Sequence, residues 1–322
     1  MDALAPHERY ANFYTDFAFK KLFGTEANKE CLIGFLNSLF DGEEVIKDVT
    51  YLNTEHIGHL AVERRTVFDV YCENDHGEKI LIEMQKAEQR YFKDRSIYYS
   101  TFAIQDQAPK GAWDFELKRV YTIGILNFTF DDSDDDYMHH EVKLFDTKTH
   151  RLFYDKLTYV YLEMPKFRKT EAELVTLMDK WLYAMKNLNT LIERPQALQE
   201  AVFKRFFEAA EIANFTKNEI RDYRESQKEM WDMYAITSTA EAKGLAKGME
   251  QGLAKGIEQG LAKGMEQGLA KGMEQGLAKG LEQGLAKGME QGMVEGARQM
   301  IAAGFSADQV LAALGLRPED LS

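Results

Sequence analysis

"KILIEMQKA", residues 79–87, opens as a buried strand with Ile80, Leu81 and Ile82 in succession, and then places Glu83 and Gln85 where more core is expected. Alternation along an extended chain puts Leu81, Glu83 and Gln85 on one face and Ile80, Ile82 and Met84 on the other. One face stays apolar throughout while the other turns polar at its carboxyl end. Such a strand needs something to satisfy both polar side chains.

The preceding run, "RTVFDVYCEN" (65–74), reads as a strand with Val67, Asp69 and Tyr71 on a common face, and "DHG" joins it to the strand from Glu78 as a short hairpin. Asp69 and Glu83 then lie seven positions either side of residue 76, close together across the ladder. Adjacent carboxylates repel unless something positive joins them. A divalent cation such as Mg²⁺ meets that need, because it takes one or two carboxylates together with water and phosphate oxygens. An architectural ion pair of Glu83 with Lys86 or Arg95 meets it equally.

Outward from this hairpin, "TDFAFKKLFG" (15–24) reads as a short helix, and a second carries Leu32, Phe35, Leu36 and Leu39 on one stripe. A first strand is expected within 43–55, a helix over 91–107, and a nearly all-apolar, hence central, strand over 118–130. The order is helix, strand, strand, strand, helix, strand. Beyond a run of aspartates at 131–136, strands are expected at 141–146 and 157–163, then helices at 170–188, 195–213 and 216 to about 240. The acid run reads as a solvated turn; a metal-binding use of Asp134 to Asp136 with His139 and His140 is the alternative.

The tail is a repeat. "GLAKGMEQ" and its variants place glycine at every fourth position from Gly244 to Gly296. Four residues advance about 400° around a helix, so each column drifts by about 40° per step and no coiled-coil seam forms. Each glycine costs about 1 kcal/mol relative to alanine, so this segment is expected to be flexible or a fraying helix. Glycine columns that let helix backbones approach make it a candidate for homo-oligomer formation; a slippage-expanded tether is the bland reading. At the end, Gly304 stops a helix, Ser306 and Gln309 have capping-box spacing, and a helix runs to Leu314. This resembles the first part of a helix-turn-helix.

The formal charge of −13 argues against general nucleic-acid coating, but leaves room for a site where a metal neutralises carboxylates. Hydrophobic residues make up 45% of the chain, enough for a packed core. Cys31 and Cys72 belong to no zinc or disulfide pattern. With no leader-like start and no long apolar run, the sequence reads as cytoplasmic and without a membrane partner.

The phrases "TDFAFKKLFG", "CLIGFLNSLF", "FDVYCEND", "ILIEMQ", "DRSIYYSTFAIQDQ" and "YLEMPKF", in that order, resemble the PD-(D/E)XK nuclease superfamily, and more narrowly its recombination-promoting nuclease group, also labelled putative transposases. The resemblance implies an α/β fold with a restriction-endonuclease-like αβββαβ core in residues 1–165. A helical extension (166–243), the octapeptide repeat tail (244–299) and a partial helix-turn-helix-like end (300–322) follow. It implies DNA as partner and Mg²⁺ or Mn²⁺ as cofactor. Asp69, Glu83 and the Met84 carbonyl would be metal ligands, with Gln85 as the third catalytic position, where the family motif carries lysine. Glutamine orients a water but cannot supply lysine's charge. Glu55 is either a further ligand or an exposed strand-end acid. Lys20, Lys21, Lys93, Arg95, Tyr98 and Tyr99 are candidate DNA contacts, though Lys20 also has the i, i+4 spacing of a pair with Asp16. The expected activity is a metal-dependent DNA endonuclease of low sequence specificity. The alternative is a nuclease fold weakened by Gln85 that binds DNA or assembles.

Overall fold

The computed structural model describes residues 8–41, 45–52, 68–88, 91–109, 111, 113–130 and 137–321. Val67, Glu55, Lys110 and the aspartates at 131–136 lie outside the described residues. The chain divides into two compact units, Met1–Ala235 and Ile236–Ser322.

In the first unit, helices α1 (Asp16–Phe23) and α2 (Lys29–Leu39) precede strands β1 (Val49–Tyr51), β2 (Val70–Asn74) and β3 (Lys79–Gln85). Helix α3 (Phe92–Gln105) leads to β4 (Val120–Leu126), β5 (His139–Phe145) and β6 (Leu152–Glu163), and α4 (Leu177–Asn187) and α5 (Ala201–Ala210) follow. The strands form one mixed sheet in the order β1-β2-β3-β4-β6-β5. β3, β4 and β6 run parallel, and every residue of β4 is buried, as its unbroken apolar run requires of a strand covered on both faces.

The β2–β3 hairpin is closed by its own turn chemistry. Asn74 Oδ1 accepts from the backbone N–H groups of His76 (3.0 Å) and Glu78 (2.9 Å), and Gly77 takes φ +78°. This fixes the register with Val70 opposite Ile82 and Tyr71 opposite Leu81. Extended by one residue, the same register brings Asp69 opposite Glu83.

The two faces of β3 separate as alternation requires. Ile80, Ile82 and Met84 join the main core with Phe23, Phe35, Trp181 and Phe206, whereas Leu81 packs with Tyr71, Phe68 and Ala103 of α3. Trp181 of α4 and Phe203 and Phe206 of α5 thus complete the core that α1 and α2 begin, and residues 166–210 share that core instead of building their own. Pro195 precedes α5 by several residues and does not open it.

Helix α6 spans Lys217–Ala302. Its start carries a reciprocal cap: Thr216 N donates to Glu219 Oε2 (2.8 Å) and Glu219 N to Thr216 Oγ1 (3.3 Å). In the first unit Tyr223, fully buried, packs against Phe17 and Phe215. In the second unit the helix continues through all fourteen repeat glycines, where a flexible or fraying segment was expected. Leucine, methionine, alanine, lysine, glutamate and glutamine, all strong helix formers, fill the other positions of each octad. Gly304 at φ +101° follows the helix, and α7 (Ala307–Leu314) ends on Gly315 at φ +64°. Ser306 is the N-cap of α7, but its side chain makes no capping hydrogen bond, so the Ser306/Gln309 capping box does not form. No helix of the described residues is long and apolar enough to cross a membrane.

Candidate active site

Asp69 sits one residue before β2, where the hairpin register carries it toward the carboxyl end of β3. Its Oδ2 accepts from Met84 N at 2.7 Å, which ties the first carboxylate to the strand that bears the second. Burial pushes the Asp69 carboxyl up to about 6; the Met84 N–H opposes this, and the charge of Asp16 adds to it. Burial likewise pushes Glu83 up to about 7, against the pull of Arg95 and with the repulsion of Asp69. Both acids therefore hold protons well above the usual carboxylate range.

Arg95 on α3 reaches the polar face of β3. Its Nη2 donates to Glu83 Oε1 and, at 2.6 Å, to Gln85 Oε1, so a single guanidinium nitrogen serves both polar side chains. The amide of Gln85 is fixed at its other end, where Nε2 donates to Ala87 O at 3.0 Å. The guanidinium lies over the rings of Phe92 and Tyr99, 5.7 Å from each centroid. α3 itself is fastened to β6 by buried hydroxyl pairs, Ser96 with Tyr161 (2.6 Å) and Ser100 with Tyr159 (2.8 Å). Gly124 makes room for this: a Cβ there would stand 3.0 Å from Tyr161 Cδ1 and 3.2 Å from Phe92 Cζ.

The donor set suits a divalent hard cation. Two buried carboxylates with raised proton affinity, held on one sheet face beside the Met84 backbone, offer oxygen ligands whose mutual repulsion such an ion would relieve. Among the described residues no three His, Cys, Asp or Glu side chains gather as a metal site. His140 does not join them; its Nε2 faces Glu163 Oε2 at 3.6 Å.

A cleft of about 760 Å³ opens beside Asp69 and is lined by Asp16, Lys20, Lys21 and Tyr71, with Glu219 and Asp222 from the first turns of α6. Its cations are engaged: Lys20 pairs with Asp16 at 2.9 Å, and Lys21 pairs with Glu219 and lies 4.9 Å from the Phe215 ring centroid. Of the other candidate DNA contacts, Lys93 stands over the Phe130 ring at 4.6 Å, Tyr98 is more than half exposed, and Tyr99 packs edge-on against Phe68 at 5.2 Å. The structure thus brings Asp69, Glu83, Gln85 and Arg95 to one place, with Lys20 and Lys21 on the cleft beside Asp69 and Lys93 apart from them over Phe130. The acidic wall from α6 was missed in the sequence; its one local signal is the i, i+3 spacing of Glu219, Asp222 and Glu225 at the start of a helix.

The mixed sheet of six strands with its helices is consistent with an α/β PD-(D/E)XK-like fold. The family described as PD-(D/E)XK nuclease family transposase matches residues 13–240, and the chain belongs to it. No curated protein and no solved structure matches the chain.

Proposed function

We propose that the protein is a Mg²⁺- or Mn²⁺-dependent DNA endonuclease of low sequence specificity whose breaks promote recombination or mobile-element movement. What supports this reading is the Asp69–Met84 N–H bond, which ties the residue before β2 to the strand carrying Glu83, together with the raised proton affinity of both acids. Asp69 and Glu83, with the Met84 carbonyl, would hold the cation. When bound, it supplies polarisation of the phosphodiester and acidifies a water. Arg95 sets the rotamers of Glu83 and Gln85, and Gln85, pinned at both ends of its amide, orients the attacking water without contributing charge. Family membership supports the nuclease class.

Nicking of supercoiled plasmid in Mg²⁺ tests it. Asp69→Ala and Glu83→Ala are each expected to abolish nicking while the far-ultraviolet circular dichroism stays that of the folded parent. Variants that cut like the parent would remove both residues from the site. Of the second reading, a nuclease fold that binds DNA or assembles without cutting, the acid-lined cleft favours the assembly arm, because carboxylates repel a phosphate backbone. Metal-dependent cleavage by the purified parent excludes it.

A further inference from the structure

The outer edge of the sheet carries a self-complementary strand. β5 is last in the strand order, and β6 is its one neighbour among the described strands. It reads His139, His140, Glu141, Val142, Lys143, Leu144, Phe145; reversed about Val142, glutamate falls on lysine and lysine on glutamate. The backbone has the matching phase. Glu163 N donates to Met138 O at 2.9 Å, so in the regular part of the ladder Met138, His140 and Val142 turn their backbone groups toward β6 and Glu141 turns its outward; the register shifts after Val142, and Lys143 has no Cα partner on β6. Within one chain Glu141 and Lys143 pair with each other. Val142, Leu144 and Phe145 are 47%, 45% and 55% exposed, and Phe153 on the adjoining end of β6 is 77% exposed. An apolar edge of this kind is a template for another strand.

We propose that β5 pairs antiparallel with β5 of a second copy of this chain about a two-fold axis at Val142, joining two sheets into one. Glu141 of each copy then faces Lys143 of the other, and these residues exchange the backbone hydrogen bonds that flank the axis. The contact is isologous and closes at a dimer. It uses a different surface from the repeat tail and does not depend on the nuclease reading.

The mass of the full chain in solution tests it, by light scattering across a concentration series. The parent is expected as a dimer. Glu141→Lys, which sets two positive side chains on the strand, and Lys143→Glu, which sets two negative ones, are each expected to halve the mass. Mixed in equal amounts they are expected to restore it, because each strand then meets its opposite; that recovery also shows that both variants are folded. Association through the tail is insensitive to both substitutions. A parent that is monomeric at every concentration, single variants with the parent's mass, or a mixture that stays monomeric would each overturn the proposal.

Discussion

Asp69 Oδ2 accepts the Met84 N–H at 2.7 Å, so the first acid of the site is anchored on the strand that carries the second. That single bond does not offset burial, which lifts the carboxyl from 3.8 to about 6. The folded protein therefore binds this proton more tightly than the unfolded chain, and the contribution of Asp69 to metal-free stability falls as pH rises from about 4 through 6. The shift corresponds to a cost of about 3 kcal/mol fully present above pH 7. Asp69→Asn is expected to flatten the fall, and Mg²⁺ to raise the parent's melting temperature more at pH 8 than at pH 5. Calorimetry in chelator and in Mg²⁺ checks both; an equal slope for Asp69→Asn and parent would contradict the assignment.

Arg95 acts on Glu83 in the opposite sense. Its charge holds the Glu83 carboxyl below where burial and Asp69 would leave it. Arg95→Ala is therefore expected to raise that pKa beyond about 7 and move the rising limb of the nicking profile toward alkaline pH. The loss is larger at pH 7 than at pH 9, and Arg95→Lys recovers part of it. A uniform loss at all pH values would mean that Arg95 serves only to hold α3.

The hairpin was legible because it is local. Alternation assigned Ile80, Ile82 and Met84 to one face and Leu81, Glu83 and Gln85 to the other, and a turn centred on residue 76 fixed which acids oppose. The choice between a metal and an ion pair at Glu83 was not legible, because Arg95 reaches it from a helix whose rotation depends on Ser96 and Ser100 meeting tyrosines of β6, more than fifty positions away. Nor was the acidic wall, since Glu219 and Asp222 reach the cleft only after Tyr223 has docked α6 against Phe17 and Phe215. Spacing in sequence records periodicity within an element. It carries no direct record of which elements meet.

Gly124 stands on β4 in register with Glu83 on one side and Tyr161 on the other. An added Cβ would lie 3.0 Å from Tyr161, 3.2 Å from Phe92 and 3.3 Å from Leu126. Gly124→Val must displace at least one aromatic ring, at a cost of about 1–3 kcal/mol. Because Phe92 also underlies the Arg95 guanidinium, nicking is expected to fall more than stability alone explains. Urea denaturation and plasmid nicking measured together separate the effects; Val tolerated without loss in either would show that the sheet face is loosely packed there.

The repeat helix allows a test that leaves the site alone. Beyond the adjoining residues and the helix's own backbone, no described atom lies within 4 Å of a Cβ built at any of the glycines from Gly244 to Gly296, so alanine meets no obstacle at these positions. Gly252→Ala, Gly260→Ala and Gly268→Ala together should stabilise the helix by about 3 kcal/mol through lower backbone entropy in the unfolded segment. The full chain is expected to gain helical circular dichroism at elevated temperature, while nicking in Mg²⁺ is unchanged. Should the triple variant instead lose helicity or solution mass, the glycines would have to be in close contact with another backbone, because only that makes a methyl group costly at positions that are open in the single chain.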